Sequence, residues 1–324
     1  MRPFESFLAP QLEEYCAYRQ NLGYSIKTLK THLLTFDRYL RGKKMEPTLL
    51  EPSFFLELRA NLKVEAQSIN KILSTTRLFF QFLVRKDHYL QNPLQDIPPL
   101  PEYAVAPFVF SPRQIEQLLS AICKRLRKKP KYYLKDLSVY MAILLLARCG
   151  MRISEPLRLL RSHYRSQEAT LYIEKTKFKK DRLIPIPFSV AAEIENYLAV
   201  RKSLLPNDQN PHLFAYKQQG GLITIQLYRI FRRAVKEIGL DQKRQLIANT
   251  IFSSPTPHSL RHAFAINTLK RIKERGKSPK NALAALATYM GHSRYTHTTK
   301  YLKFLDAEKR QQLFHFAISQ QEDK

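Results

Sequence analysis

Several things are scarce in these 324 residues, and each scarcity narrows the reading. There are three cysteines, Cys16, Cys123 and Cys149, too far apart to form a metal-binding pair or a disulfide framework. Free thiols in a cytoplasmic protein are therefore expected. The longest apolar stretch, Val139 to Ala147, is well short of the roughly 20 residues that span a bilayer. It predicts a buried helix, not a membrane anchor or membrane partner. A basic region followed by an apolar signal run is lacking at the N-terminus, and neither internal repeats nor low-complexity tracts occur. Acidic residues are few, 27 Asp plus Glu against 54 Lys plus Arg, which leaves a formal charge of +27 and a pI near 10.0. With 44% hydrophobic residues such a chain folds around a core and attracts polyanions. Charge records only sign, so DNA, RNA and an acidic membrane surface all remain open on composition.

A length of 324 residues accommodates two domains, at roughly 100 to 200 residues each. From Phe4 to Asn92 apolar residues recur at helical spacing, as in Leu8, Leu12 and Tyr15, then Leu29, Leu33 and Phe36, then Ile69, Ile72, Leu73 and Phe79. This half reads as an all-helical bundle ended by Asn92-Pro93. Ile97-Pro98-Pro99-Leu100-Pro101 and Pro107 read as an extended connector, because proline removes donors and disfavours helix before it. The expected division is residues 1–97, a linker at 98–107, and a catalytic or binding domain at 108–324.

The latter half opens on Ser111-Pro112-Arg113-Gln114, a capping box with proline at the first helical position. A further helix is expected from about Asp136 to Cys149, stopped by Gly150. Ala169 to Glu174 and Arg182 to Pro187 are short β-prone runs around Lys177, Phe178, Lys179, Lys180 and Asp181, the pattern of a hairpin with a basic tip. From Val190 onward the chain reads as largely helical.

The residues that carry chemistry are dispersed. Arg152 follows the turn at Gly150, with Glu155 one helical turn on. Taken alone this is a surface i,i+3 ion pair worth a few tenths of a kcal/mol. His258 and Arg261 share a helix face at i,i+3. His258 and His262 at i,i+4 could instead share a zinc ion, although no Glu follows His258 directly. His292 stands after Gly291, and Tyr301 nine positions beyond it. A lone tyrosine among 17 carries no weight. Arg, Lys, His-x-x-Arg, Gly-His and Tyr, in that order in one basic chain, do carry weight.

This set resembles the tyrosine recombinase (phage integrase) family. Gly-Met-Arg-Ile-Ser-Glu around Arg152 matches the first active-site arginine, and Lys177, ahead of Arg182-Leu-Ile-Pro, matches the hairpin lysine. His258 and Arg261 match the His-x-x-Arg box, His292 the Gly-His position, and Tyr301 the nucleophile. Gly23-Tyr24-Ser25-Ile26-Lys27-Thr28 and Phe79-Phe80-Gln81-Phe82-Leu83 through Asn92-Pro93 are similar to the family's helical core-binding domain. Two segments, Gln242 to Pro255 and Lys270 to Leu283, are longer than in the compact members that resolve chromosome dimers. The length of Lys270 to Leu283 resembles recombinases of mobile elements more closely.

The resemblance implies a mainly α fold: an N-terminal helical core-binding bundle, and an α+β catalytic domain with a small antiparallel sheet, closing as a clamp on duplex DNA. It implies a site-specific recombinase that forms a covalent 3′-phosphotyrosine, works as a homotetramer on two double-stranded DNA sites, exchanges its C-terminal tail between protomers, and acts with accessory recombination proteins. A bacterial, nucleoid-associated setting is the expected one. Neither metal nor nucleotide cofactor is implied. In chemical terms, Arg152 and Arg261 would hold the non-bridging oxygens with paired hydrogen bonds. Lys177 would protonate the leaving 5′-oxygen. Tyrosine titrates near ~10, so it needs a proton acceptor, here His258, with His292 as hydrogen-bond donor; the two roles could be exchanged. Glu155 would orient Arg152 or His258. Phosphate contacts are expected from Lys175, Lys179, Lys180 and Arg182, and from Lys128 and Lys129. Three rivals stay open at this point: a non-catalytic DNA-binding regulator, a metal-dependent nuclease, and a type IB topoisomerase.

Overall fold

The computed structural model describes residues 2–43, 49–174, 181–215, 220–292 and 295–302. The chain divides into two compact units, Met1–Tyr103 and Ala104–Lys324.

The first unit is built from α1 (Ala9–Asn21), α2 (Lys27–Gly42), α3 (Pro52–Asn61) and α4 (Ala66–Val84). The helical spacing in the sequence brings Leu12, Tyr15, Leu33, Phe36, Phe55, Phe79 and Phe80 into one core. Much of that core is aromatic, with Phe36 against Phe55, Phe79 and Phe80 at centroid distances of 6.0 to 6.4 Å. The proline-rich connector is held along α4. Asn70 exchanges two hydrogen bonds with the Leu100 backbone, at 2.9 and 2.8 Å, and Arg77 donates to the carbonyls of Leu94 and Ile97. Its last part is no linker: Ala104–Ala106 forms β1 and belongs to the second unit.

In the second unit, α5 (Pro112–Lys124) begins at Ser111 and Gln114 with both capping-box hydrogen bonds formed. The buried α6 (Pro130–Cys149) packs against α5, α7 (Phe188–Leu204), α8 (Thr224–Glu237) and α9 (Pro257–Glu274). It starts six residues before the expected Asp136, with Pro130 in the first turn, where the missing N–H costs nothing. It ends at Gly150, whose φ of +59° is the left-handed conformation that glycine adopts without strain.

Two small sheets flank the helices. β2 (Tyr164–Arg165), β3 (Thr170–Ile173) and β4 (Arg182–Pro185) are antiparallel, with Ile173 opposite Arg182. Leu171, Ile173 and Ile184 face the core, as the two-residue alternation of a half-buried sheet requires. The other sheet has no counterpart in the sequence reading. β5 (Gln245–Ile247) and β6 (Thr250–Phe252) form a hairpin inside the long approach to His258, and β1 adds to β6 in parallel. The chain continues through α9 and α10 (Pro279–Met290) to a helical stretch at 296–302 that carries Tyr301. No helix among the described residues is long and apolar enough to cross a membrane.

Candidate active site

The site forms where the C-terminal ends of α6 and α10 meet the first turns of α9. A helix leaves its last carbonyls without intrahelical partners and carries partial negative charge there. Three arginines satisfy the end of α10 in succession. Arg182 Nε donates to the Tyr289 carbonyl at 2.8 Å, Arg261 Nη2 to Met290 at 2.6 Å, and Arg152 Nη2 to Gly291. Arg261 also donates Nη1 to the Gly150 carbonyl at the end of α6, at 2.6 Å. Both glycines are in the left-handed region, Gly150 at φ +59° and Gly291 at +64°, and a Cβ on Gly291 would lie 2.9 Å from Arg182 Nη1.

One carboxylate serves this cluster. Glu155 Oε1 accepts from Arg152 Nη1 at 2.9 Å and Arg182 Nη1 at 3.0 Å, while Oε2 accepts from the Arg152 N–H at 2.8 Å and Arg182 Nη2 at 2.9 Å. Burial alone would raise the Glu155 pKa, but the Arg182 hydrogen bonds and charge, with help from Arg152, hold it below the ordinary carboxylate value. Three guanidiniums against one carboxylate leave an excess of two positive charges, which suits an anion. Arg261, 1% exposed, has its pKa drawn down to about 10 by burial and then by Arg152. That still leaves it charged at neutral pH.

The three histidines of the site are held neutral at that pH. Desolvation, followed by the charges of Arg261 and Arg152, lowers the pKa of His258, although part of this residue reaches solvent. His262 is drawn to about 4 by burial, then by His258 and Arg261. His292 is drawn to about 3 by burial, then by Arg261 and Arg152. His292 Nδ1 meets the hydroxyl of the buried Thr298 at 2.7 Å, which ties the Gly-His turn to the helical stretch of Tyr301.

Tyr301 is 5% exposed and packs against Ile266, Leu269, Leu286 and Met290. Burial raises its pKa, with Arg261 and Arg152 opposing the rise, so the phenol is protonated at neutral pH. Its hydroxyl lies 3.1 Å from Nδ1 of His262. The rings of Tyr301 and His292 stack with centroids 6.3 Å apart.

These elements match a known family over most of their length. A model described as the phage integrase family matches residues 109–308. This chain belongs to the phage integrase family. Members resemble it beyond the matched region. Tyrosine recombinase XerD of Rickettsia bellii is 27% identical over 332 residues, covering 97% of this chain and 99% of its own. A Sinorhizobium fredii protein provisionally named integrase/recombinase y4rE is 27% identical over 302 residues, 93% of each chain. Among solved structures, XerH recombinase bound to a palindromic difH substrate superposes with a TM-score of 0.67 at 19% identity, over 94% of this chain and 84% of that one. The fold of this chain is the tyrosine recombinase fold, and its enzyme class is that of DNA strand breaking and rejoining.

Of the residues singled out in the sequence, Arg152, Glu155, His258, Arg261, His292 and Tyr301 converge in one cluster. Of the two partners open to Glu155 in the sequence, the hydrogen bonds go to Arg152. Arg182 needs correction. The sequence places it among the phosphate contacts, yet its side chain is 9% exposed and bound to Glu155 and the Tyr289 carbonyl. Its buried position at the start of β4 makes it part of the frame that sets Glu155. Lys175, Lys177, Lys179 and Lys180 lie outside the described residues, within the segment joining β3 to β4. Lys128 and Lys129 are exposed just ahead of α6. In the sequence His262 reads only as a zinc ligand beside His258; the hydrogen bond to Tyr301 gives it a different place. Among the described residues no group of three or more His, Cys, Asp or Glu is arranged to hold a metal.

Proposed function

We propose that this chain is a site-specific recombinase in which Tyr301 attacks a scissile phosphodiester of duplex DNA and holds the 3′ end as a covalent phosphotyrosine. The observation that carries this reading is a buried phenol, its hydroxyl 3.1 Å from His262 Nδ1, within electrostatic reach of Arg261 and Arg152 in a cluster with surplus positive charge. A covalent nucleophile keeps the phosphodiester bond energy for rejoining, which a hydrolytic enzyme does not need.

In this reading Arg152, 23% exposed at its side chain, offers donors to the non-bridging oxygens, and Arg261 adds its charge from beneath. Attack increases the negative charge on those oxygens, so donors fixed in advance favour the transition state over the bound phosphate. Glu155, gripped by Arg182, fixes the Arg152 fork. His258 and His292 line the same centre as hydrogen-bond partners of the phosphate. Lys177, from its position between the paired strands, supplies the proton to the leaving 5′-oxygen, and Lys175, Lys179, Lys180, Lys128 and Lys129 contact flanking phosphates.

The working assembly in this reading is four protomers on two DNA sites. The tail from Ala307 to Gln320, which lies outside the described residues, docks on a neighbouring protomer, and accessory proteins set the direction of exchange. A lambda integrase tetramer bound to a Holliday junction has a related fold, with a TM-score of 0.62 at 18% identity. The length of Lys270 to Leu283 favours a mobile-element setting. The test is strand exchange between two duplexes carrying the DNA sequence that flanks the gene. Reciprocal joined products are expected; relaxation of supercoils without exchange would support a topoisomerase instead.

A further inference from the structure

The proton of Tyr301 has to leave a residue that is 5% exposed, so its route depends on what the hydroxyl touches. His258 is the acceptor that the sequence suggests, since it heads the His-x-x-Arg box. Yet the hydroxyl meets Nδ1 of His262 at 3.1 Å, four residues further along α9. The ring of His262 stands between the other two, 5.8 Å from the Tyr301 ring and 4.6 Å edge-to-face from the His258 ring. His258 flanks the histidine that touches the nucleophile, and part of it reaches solvent.

Resting on the reading of Tyr301 as nucleophile, we propose that His262 is a catalytic residue that accepts the phenol proton during cleavage and returns it during rejoining. For Nδ1 to accept, the ring must be the neutral tautomer with its hydrogen on Nε2. In the forward step the Tyr301 O–H bond breaks, its proton goes to Nδ1, and the oxygen electron pair forms the new O–P bond. The P–O bond to the 5′-oxygen breaks, and that oxygen takes a proton from a separate acid. In the reverse step the protonated His262 gives its proton to the departing phenolate.

Magnitudes set when the transfer happens. A phenol pKa raised above its ordinary value by burial and an imidazole pKa drawn down to about 4 make full transfer before attack strongly unfavourable. The imidazole is weak in the free protein because it is buried beside His258 and lies near the charge of Arg261. A phosphodiester bound at Arg152, within the field of the buried Arg261, cancels part of that charge and strengthens the base. Formation of the O–P bond makes the phenol proton far more acidic. The transfer therefore accompanies attack, where a positioned base typically contributes ~10² to 10⁴ in rate. Substrate binding thus switches on its own proton acceptor, and tyrosine chemistry is suppressed in its absence.

Three variants of the full-length chain test this on a nicked duplex that traps the cleaved state. His262→Asn places an amide oxygen where Nδ1 stood, so it keeps the hydrogen bond to the phenol and cannot take the proton. His262→Phe removes both. His258→Asn is the comparison. Thermal melting and DNA binding check that each variant folds, and peptide mapping locates the adduct. His262→Asn should cleave ~10²-fold or more slowly, close to His262→Phe, with normal DNA binding. Replacing Tyr301 by 2,3-difluorotyrosine, a more acidic phenol, should shrink the His262→Asn defect to a few-fold. Near-normal cleavage by His262→Asn, or an equal defect with both phenols, would overturn proton acceptance and leave only positioning. Rescue of His258→Asn in place of His262→Asn would transfer the role to His258. An adduct mapped to another residue would sink the Tyr301 reading itself, and this one with it.

Discussion

Arg182 lays both terminal nitrogens of its guanidinium on the two oxygens of Glu155, at 3.0 and 2.9 Å, across 27 positions of sequence. The pair is buried on both sides, 9% and 6% exposed, and Glu155 passes its orientation on to Arg152. Removing one partner of such a pair strands charge in a poorly solvated place.

Glu155→Gln should therefore lower stability by about 3 kcal/mol and slow cleavage while leaving binding to duplex DNA largely intact. Because the folded-state pKa of Glu155 lies below its ordinary value, its stabilising contribution is full above that ordinary value. It is lost as pH falls through the folded pKa. Urea titrations from neutral to acid pH should show wild type losing more stability than Glu155→Gln over this window; parallel loss in both would contradict the assignment.

Gly291→Ala should disturb the site without touching any charge. The residue would adopt φ +64° with its Cβ 2.9 Å from Arg182 Nη1, and a left-handed non-glycine costs roughly 1–2 kcal/mol. Arg182 has to shift, and the Gly291 carbonyl that receives Arg152 shifts with it. Melting temperature and single-turnover cleavage should both fall; unchanged cleavage would mean that Arg152 does not depend on this carbonyl.

Lys177→Ala should slow cleavage of an ordinary phosphodiester far more than cleavage of a substrate with a 5′-thiolate leaving group, which departs without a proton. A matched pair of synthetic duplexes measures the ratio directly. Equal defects on both would assign Lys177 to DNA binding alone.

Much of this cluster is legible in sequence because several of its residues sit beside a local signal. Arg152 follows the helix-stopping Gly150, His258 and Arg261 share a helical face, and His292 follows Gly291. Local patterns also locate the Ser111 capping box and the apolar core of the first unit. What escapes depends on distance. Arg182 reads as one more cation in a basic run, since nothing nearby in sequence announces Glu155 as its partner. His262 is spaced like a zinc ligand, and only folding brings Tyr301, 39 positions on, to its Nδ1. The β5–β6 hairpin is short, its β5 residues are all exposed, and its turn sets Ala248 at φ +49° where glycine or asparagine is the usual signal. The start of α6 is hidden for another reason: Lys128 and Lys129 read only as phosphate contacts, whereas Pro130 directly after them opens the helix.

The central claim is that Tyr301 forms the bond to DNA, and a nicked duplex that loses a short fragment after cleavage tests it most directly. Wild-type protein incubated with this substrate should become covalently attached, and proteolysis followed by mass analysis should find the nucleotide on the peptide containing Tyr301. Tyr301→Phe should bind the same duplex with near-normal affinity, because phosphate contacts dominate binding, and should form no adduct. Covalent capture of the Tyr301→Phe protein, or a wild-type adduct on Tyr289 or Tyr295, would contradict the account.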